Sequence, residues 1–359
     1  MKKPGDQRGN GVNNKVRATL WDVAQQAGVS PVTVSRAIRH PDMVSPALRK
    51  RVGEAVSSLH YIPNHLASAL ASTRTNIVGV IVPSLTNGVF DDFLARVQDV
   101  FEQSGIQVLV SNTRYSGAEE EKAIEIMLGY HPEAMIVIGV DQSPRVRQML
   151  AGAGIPVVQA MDMTDDPIDL NVGFDHRSAA AAAVRFLHEL GHRRIGHLTV
   201  STDPRSERRL EGYIEAMTEL GLTTAGLIAK STNTTSVQRG AELFSEILAH
   251  DAGVTAIFAC NDDLALGALF ESQRRGINVP DELAIVGFND LDFSGSTVPP
   301  LTTVSTERPK IAAWAAGAIV EIIRGSGKRP VERSVDLGFF IRTRGSTGGP
   351  RRAAKRPRP

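Results

Sequence analysis

Two textures of apolar and polar residues divide this chain. From Thr19 to about Tyr61, apolar positions recur at helical spacing in short stretches set off by glycine, serine and proline. Thr19 is placed to cap a helix over 20–27, which Gly28 ends. Ser30 caps a second over 31–38 with proline at its tolerated first position, and Ser45 caps a third over 46–59. Pro63 then breaks the chain before an Ala/Leu-rich stretch at 64–72. After Asn76, short apolar runs predict strands at 77–82, 108–111, 135–140, 157–160, 195–200, 256–259, 283–287 and 301–304. Amphipathic segments lie between them, among them 91–103, 177–190, 208–220, 237–248, 262–275 and 310–323. Buried strands alternating with helices of this length predict α/β layering, with parallel sheets covered on both faces. The strands are too many for one sheet, so two doubly wound lobes are expected, with a ligand cleft at the carboxyl ends of the strands.

Composition narrows the class. A chain of 359 residues, 42% hydrophobic, suits two domains. The single cysteine, Cys260, excludes a disulfide framework. No apolar run approaches the roughly 18 residues of a membrane helix. The first 18 residues lack the apolar stretch of a secretory signal, so a soluble, cytoplasmic protein is expected.

Charge adds an asymmetry that the net +1 hides. Residues 1–76 hold 11 Lys/Arg against four acids, and the tail after Ile341 holds seven Arg/Lys and no acid. The segment between therefore carries −13. A basic head on an acidic body suits a polyanion-binding module joined to a sensor. The expected organisation is a disordered basic arm (1–18), a helical headpiece (19–62), a hinge and linker (63–76), a sensor (77–342) and a disordered basic tail (343–359).

The segment TLWDVAQQAGVSPVTVSRAIRH carries the constraints of a helix-turn-helix. Ala24 is small where two helices cross, Gly28 permits the tight turn, and Val29 with Val34 fills a small core. The second helix would turn Pro31, Val32 and Arg36 outward near its N-terminus, the part of a recognition helix that reaches base edges. Arg36 can pair with guanine, worth roughly 1–3 kcal/mol of discrimination. Ser30, Thr33, Ser35 and the helix start would hold phosphates, and Thr19 and Leu20 join this DNA-facing set.

DVAQQAGVSPVTVSRAI, VSPALRKRV and LHYIPNHLASAL together resemble the headpiece of the LacI/GalR family of bacterial repressors. The resemblance implies a periplasmic-binding-protein-like sensor and operator binding as a homodimer, with tetramers left open. It implies that Pro31, Val32 and Arg36 read the major groove of double-stranded DNA. It further implies that 64–71 is a hinge helix folding only on operator, with Asn64, His65 and Ala67 at the DNA and Leu70 wedged into the minor groove. Eight residues are too few for an isolated helix in water.

Four constellations follow strands in the sensor. In 82–90, Ser84, Thr86 and Asn87 offer hydrogen bonds and Phe90 an apolar ring face; loop capping and a core phenylalanine are the alternative. In 202–213, Arg205 and Arg209 stand four apart, and at least one is expected to enter the cleft rather than pair on a solvated face with Glu207 and Glu211. In 260–270, Asn261 and Asp262 end a strand and cap a helix. In 285–293, the resemblance implies an aspartate where Asn289 stands; the amide removes a negative charge and would tolerate an anionic effector, unless Asp290 or Asp292 compensates. By the same resemblance, the positions of Phe90 and Asn261 touch the effector. Asp175 is a further candidate, with helix capping as its other role.

The sensor texture (PSLTNGVF, NVGFD, CNDDLALGALF, DLGF) is similar to the gluconate-utilisation branch of that family. This implies gluconate or a related sugar acid as inducer, with neutral sugars or purines as rival effectors. His176, His192 and His197 lack metal spacing, and nothing resembles a nucleophile elbow or a glycine-rich phosphate loop, so neither enzyme nor cofactor is expected. A transport protein would need an export signal, and an NAD-type enzyme a glycine-rich first turn. A ligand-independent DNA-binding protein is the remaining rival.

Overall fold

The structure, a computed structural model, describes residues 18–62, 74–325 and 327–348. The basic arm, the hinge positions Asn64, His65, Ala67 and Leu70, and the tail beyond Gly348 lie outside the described residues. The chain divides at Thr75/Asn76 into two compact units.

The first unit holds three helices: α1 (Leu20–Ala27), α2 (Pro31–Arg39) and α3 (Pro46–Ser58). Thr19 and Asp22 form a reciprocal capping box on α1, and Ser30 and Ser45 cap α2 and α3. Gly28 ends α1 at φ 61°, and its amide and that of Val29 close back on the Ala24 and Gln25 carbonyls. A residue with a Cβ is disfavoured in that conformation. Val23, Ala24, Ala27, Val34, Ala37, Val52 and Ala55 are buried in one small core.

The second unit has two six-stranded sheets. Its strands are β1 (Ile77–Val82), β2 (Gln107–Asn112), β3 (Ala134–Ile138), β4 (Val157–Ala160), β5 (Leu170–Gly173), β6 (Ile195–Val200), β7 (Ile228–Ser231), β8 (Ala256–Ala259), β9 (Ala284–Asn289), β10 (Thr302–Ser305), β11 (Ser334–Asp336) and β12 (Phe340–Arg342). The first sheet runs β11-β5-β4-β3-β1-β2, all parallel; the second runs β12-β10-β9-β8-β6-β7, with β12 alone antiparallel. Helices α4 (Asp91–Glu102), α5 (Gly117–Gly129), α6 (Pro144–Gly152) and α11 (Arg308–Arg324) serve the first lobe. Helices α7 (His176–Glu189), α8 (Pro204–Glu219), α9 (Val237–His250) and α10 (Asp262–Arg274) serve the second. Residues buried on both faces, such as all five of β3, give the unbroken apolar runs of parallel sheets.

The chain passes between lobes three times: after β5, after β10 and between β11 and β12. Helices α7 and α8 cross so closely that a Cβ at Gly212 would stand 2.1 Å from the Arg177 carbonyl oxygen. That contact fixes α8, which carries the cleft arginines.

Two expectations change. Strands β5, β7, β11 and β12 were not among those expected. The sensor also does not end at 342, because residues 343–348 thread back into the second lobe instead of joining a disordered tail. Ser346 is fully buried; its hydroxyl donates to the Ile285 carbonyl (2.6 Å) and accepts from the Thr302 amide (2.8 Å). The Gly348 carbonyl meets His192 Nε2 at 2.7 Å. Low apolar content suggested disorder here, but the segment is held by backbone and hydroxyl hydrogen bonds rather than by apolar area.

Candidate DNA face and effector cleft

In the first unit, the Ser30 hydroxyl accepts from the Thr33 amide (3.2 Å) and lies 2.8 Å from the Thr33 hydroxyl. Val34 and Ala37 bury the inner face of α2, which turns Val32 (68% exposed) and Arg36 outward. Among the described residues Arg36 has no ion-pair partner, so its guanidinium fork is free for an acceptor outside the protein. Pro31, Thr33 and Ser35 are half-buried beside it, and Leu20 packs against the core while Thr19 is engaged in its cap. Trp21, 73% exposed at the start of α1, was passed over in the sequence; an exposed tryptophan next to a helix N-terminus was the available signal.

In the second unit, loops at the carboxyl ends of both sheets converge on one pocket. Asn87, Arg205, Arg209, Asn261 and Asn289 line it, as expected from their places after strands. Ser84, Phe90 and Asp175 do not. Ser84 accepts from the Thr86 and Asn87 amides and shapes the loop. Phe90 is fully buried, with the Arg205 guanidinium 5.3 Å from its ring centre. Asp175 caps α7, accepting from the Arg177 and Ser178 amides. Tyr115, Met161, Phe174, His176, Asp203, Ser206 and Thr235 also line the pocket and were not on the expected list. Phe174 and His176 follow β5, whose carboxyl end marks them by the same rule, whereas Tyr115 follows β2 and no spacing or residue type there marks it.

The three neighbouring arginines of α8 are in different electrostatic states. Arg205 is buried and forms a two-pronged pair with Asp203, Nε to Oδ1 at 3.0 Å and Nη2 to Oδ2 at 2.8 Å. Burial alone would lower its pKa, but the Asp203 carboxylate outweighs burial and holds it raised. Arg208 reaches across to the first lobe, binding Asp141 (2.9 and 2.6 Å) and lying 3.0 Å from Asp162. Arg209 is equally buried, but among the described residues no carboxylate lies within ion-pair distance of it. It donates to His176 Nδ1 (3.2 Å) and the Cys260 carbonyl, with the Phe288 ring centre 3.8 Å away. Burial pushes its pKa down to about 10.

Burial, and then Arg209, depress the His176 pKa and keep its ring neutral. Its Nε2 meets the Met161 carbonyl at 2.9 Å and must donate there, leaving Nδ1 to accept from Arg209. Asp162 is 1% exposed, and burial pushes its carboxyl up to about 6 against the pull of Arg208. Its Oδ2 lies at ion-pair distance from Arg208 yet accepts no hydrogen bond.

Two amides complete the lining. Asn261 Oδ1 is occupied by the Thr235 hydroxyl (2.9 Å) and the Leu264 amide (3.0 Å), and its Nδ2 donates one hydrogen to Cys260 Sγ (3.7 Å), which leaves the other to offer. Asn289 adopts φ 111°, and its carbonyl accepts from Arg308, which also binds Asp92 of the first lobe at 2.8 Å. Thus Arg208 and Arg308 both tie the lobes together. The free space left in the pocket is about 30 Å³, room for about one or two waters, so the lobes must part before a six-carbon ligand enters. Among the described residues no three His, Cys, Asp or Glu side chains are grouped to hold a metal, and no helix is long and apolar enough to cross a membrane.

A helix-turn-helix unit with an outward arginine, followed by a two-lobed sensor around a polar cleft, defines a ligand-controlled DNA-binding regulator. The model for bacterial regulatory proteins of the lacI family matches residues 19–64, and that for a periplasmic binding protein-like domain matches residues 184–347. The chain belongs to the LacI family and is a DNA-binding transcriptional repressor rather than an enzyme.

Within that family it is 40% identical to the HTH-type transcriptional regulator GntR of Pseudomonas aeruginosa, over 92% of this chain and 96% of that one. The crystal structure of transcription regulator GntR from Chromobacterium violaceum is similar at 38% identity and TM-score 0.73, over 76% of this chain and 99% of that one. A lac repressor dimer bound to operator and an anti-inducer is similar at 25% identity and TM-score 0.78, over 93% of this chain and all of that one.

Proposed function

We propose that this repressor binds operator DNA as a homodimer and is induced by gluconate or a closely related sugar acid. The observation that carries the effector class is Arg209, a buried cation at the cleft whose protein partners are all uncharged. A buried charge without a counter-ion costs several kcal/mol, and an effector carboxylate would offset that cost. Asn289 supports the same reading, since the amide presents no negative charge to repel an anion. The second Nδ2 hydrogen of Asn261, beside the one given to Cys260 Sγ, suits a hydroxyl oxygen. Similarity to regulators named GntR agrees with this class.

The DNA-facing residues on this reading are Thr19, Leu20, Ser30, Pro31, Val32, Thr33, Ser35 and Arg36, joined by Asn64, His65, Ala67 and Leu70 of the hinge. Ligand must bind two sensor states unequally to shift operator affinity. Opening and closing of the cleft, tied by Arg208 and Arg308, supplies two such states, and 63–76 would carry the change to the headpiece. The test is binding to an operator-containing promoter fragment, titrated at fixed salt with gluconate, neutral sugars and purines. Release by sugar acids alone supports the proposal; DNA binding that no ligand moves identifies the sensor as a ligand-independent scaffold.

A further inference from the structure

We propose that Tyr115 is a specificity-determining residue of the cleft, donating its phenolic hydrogen to a hydroxyl oxygen of the bound effector. This rests on the sugar-acid reading above. Strand β2 ends at Asn112, and the chain then turns through Arg114 and Tyr115 at φ 53° and 58°. Residues with a Cβ rarely adopt this left-handed conformation, and two in succession are retained where a side chain must be aimed. The turn is pinned from three sides: the Thr113 amide donates to Val82 (2.9 Å), the Tyr115 amide to Pro83 (3.2 Å), and the Arg114 amide to Asn112 Oδ1 (3.0 Å).

The turn delivers the phenol to the pocket wall beside Asn87, whose Nδ2 donates to the Tyr115 oxygen at 3.0 Å. Asn87 is itself fixed, its Oδ1 accepting from the Val89 amide at 3.2 Å and its amide donating to Ser84. The phenolic oxygen is thus occupied as an acceptor, while among the described residues its O–H has no acceptor. Burial, reinforced by Asp203, raises the phenol's pKa, so it stays a donor at neutral pH.

The strong donor without a carboxylate partner at the cleft, Arg209, comes from the second lobe and suits an effector carboxylate. Tyr115 comes from the first lobe and supplies a neutral donor, which suits a hydroxyl oxygen. Because it reaches the ligand from the opposite wall, its bond forms only when the lobes are closed on the effector.

The experiment compares the full-length protein with Tyr115→Phe, which keeps the ring and the turn and removes only the hydroxyl. Binding of D-gluconate and of its deoxy isomers is measured by titration calorimetry. The variant should bind gluconate about five- to tenfold more weakly, with the melting temperature lowered by only a few degrees for the acceptor that Asn87 loses. The deoxy isomer lacking the contacted hydroxyl should lose nothing further in the variant. Unchanged gluconate affinity, or an equal loss for every deoxy isomer, overturns the assignment. A parent protein that binds no sugar acid overturns the sugar-acid reading, and this contact with it.

Discussion

Replacing Arg209 with methionine separates what this side chain does for the fold from what it does for the ligand. Burial pushes its pKa down to about 10, so the folded protein disfavours the charge by about 3 kcal/mol relative to water. Methionine is unbranched and fills irregular space, so it removes that cost. It also leaves His176 Nδ1 and the Cys260 carbonyl without their donor, at about 1–2 kcal/mol each. These terms nearly cancel, and Arg209→Met should change unliganded stability by no more than about 1 kcal/mol.

Ligand binding should respond very differently. Losing a charge-assisted contact to a carboxylate costs about 1.5–3 kcal/mol, a weakening of about 10- to 100-fold. Thermal unfolding reads both effects. For the parent, a sugar acid at 100 times Kd adds about 2.7 kcal/mol, a rise of about 5–10 °C for a domain of this size. Without ligand the variant should melt near the unliganded parent, and at the same ligand concentration it should show only about a sixth to a half of that rise. A variant several kcal/mol less stable, or one keeping the full ligand-induced rise, refutes the view of Arg209 as an uncompensated cation awaiting an anion.

Asp162 gives a pH test. Its carboxyl is pushed up to about 6 from a usual value of 3.8, so the folded state holds the proton more tightly than the unfolded chain. That contribution is full below about pH 4 and is lost as pH rises through about 6. Asp162→Asn should therefore gain on the parent between pH 4 and 7, by up to about 3 kcal/mol, the pull of Arg208 being already contained in the raised value; denaturant melts showing a pH-independent difference would exclude it. Arg36→Ala should lose about 1–3 kcal/mol at the true operator and much less on nonspecific DNA, as mobility-shift titrations at fixed salt would record. Gly28→Ala, forced to φ 61°, should destabilise the headpiece by about 1–2 kcal/mol, read as a lower melting temperature of a 19–62 fragment.

Much of the fold was legible wherever one local pattern decided it. The runs of β1 and β8 are apolar without interruption, and Ser30, Ser45 and Gly28 mark helix ends by their own chemistry. Strand β5 was not legible because its fully buried Asn171 breaks the run. That side chain is paid for by hydrogen bonds to the Gln159 and Asp162 carbonyls (3.0 and 2.8 Å), which exist only in the folded sheet. Strands β11 and β12 are three residues long and owe their existence to β5 and β10. In the cleft, Arg205 and Arg209 were visible as a pair four residues apart, but not the division of labour in which Asp203 pairs directly with one and acts on the other only from a distance. Tyr115 was invisible because its direction depends on two strained residues, and strain of that kind has no signature in composition.

The triple passage between lobes has a consequence for how the protein is made. Strand β11 completes the first sheet, β12 the second, and Ser346 locks the second lobe. Neither lobe is a continuous piece of chain, so the first cannot close until the ribosome has passed about residue 336 and the second until it has passed about residue 348. The headpiece needs only residues 19–62 for its core. At roughly 5–20 residues per second, a nascent chain would carry a folded DNA-reading unit for about 15–60 s before the sensor that governs it is finished. During synthesis, the switch is assembled after the part it controls.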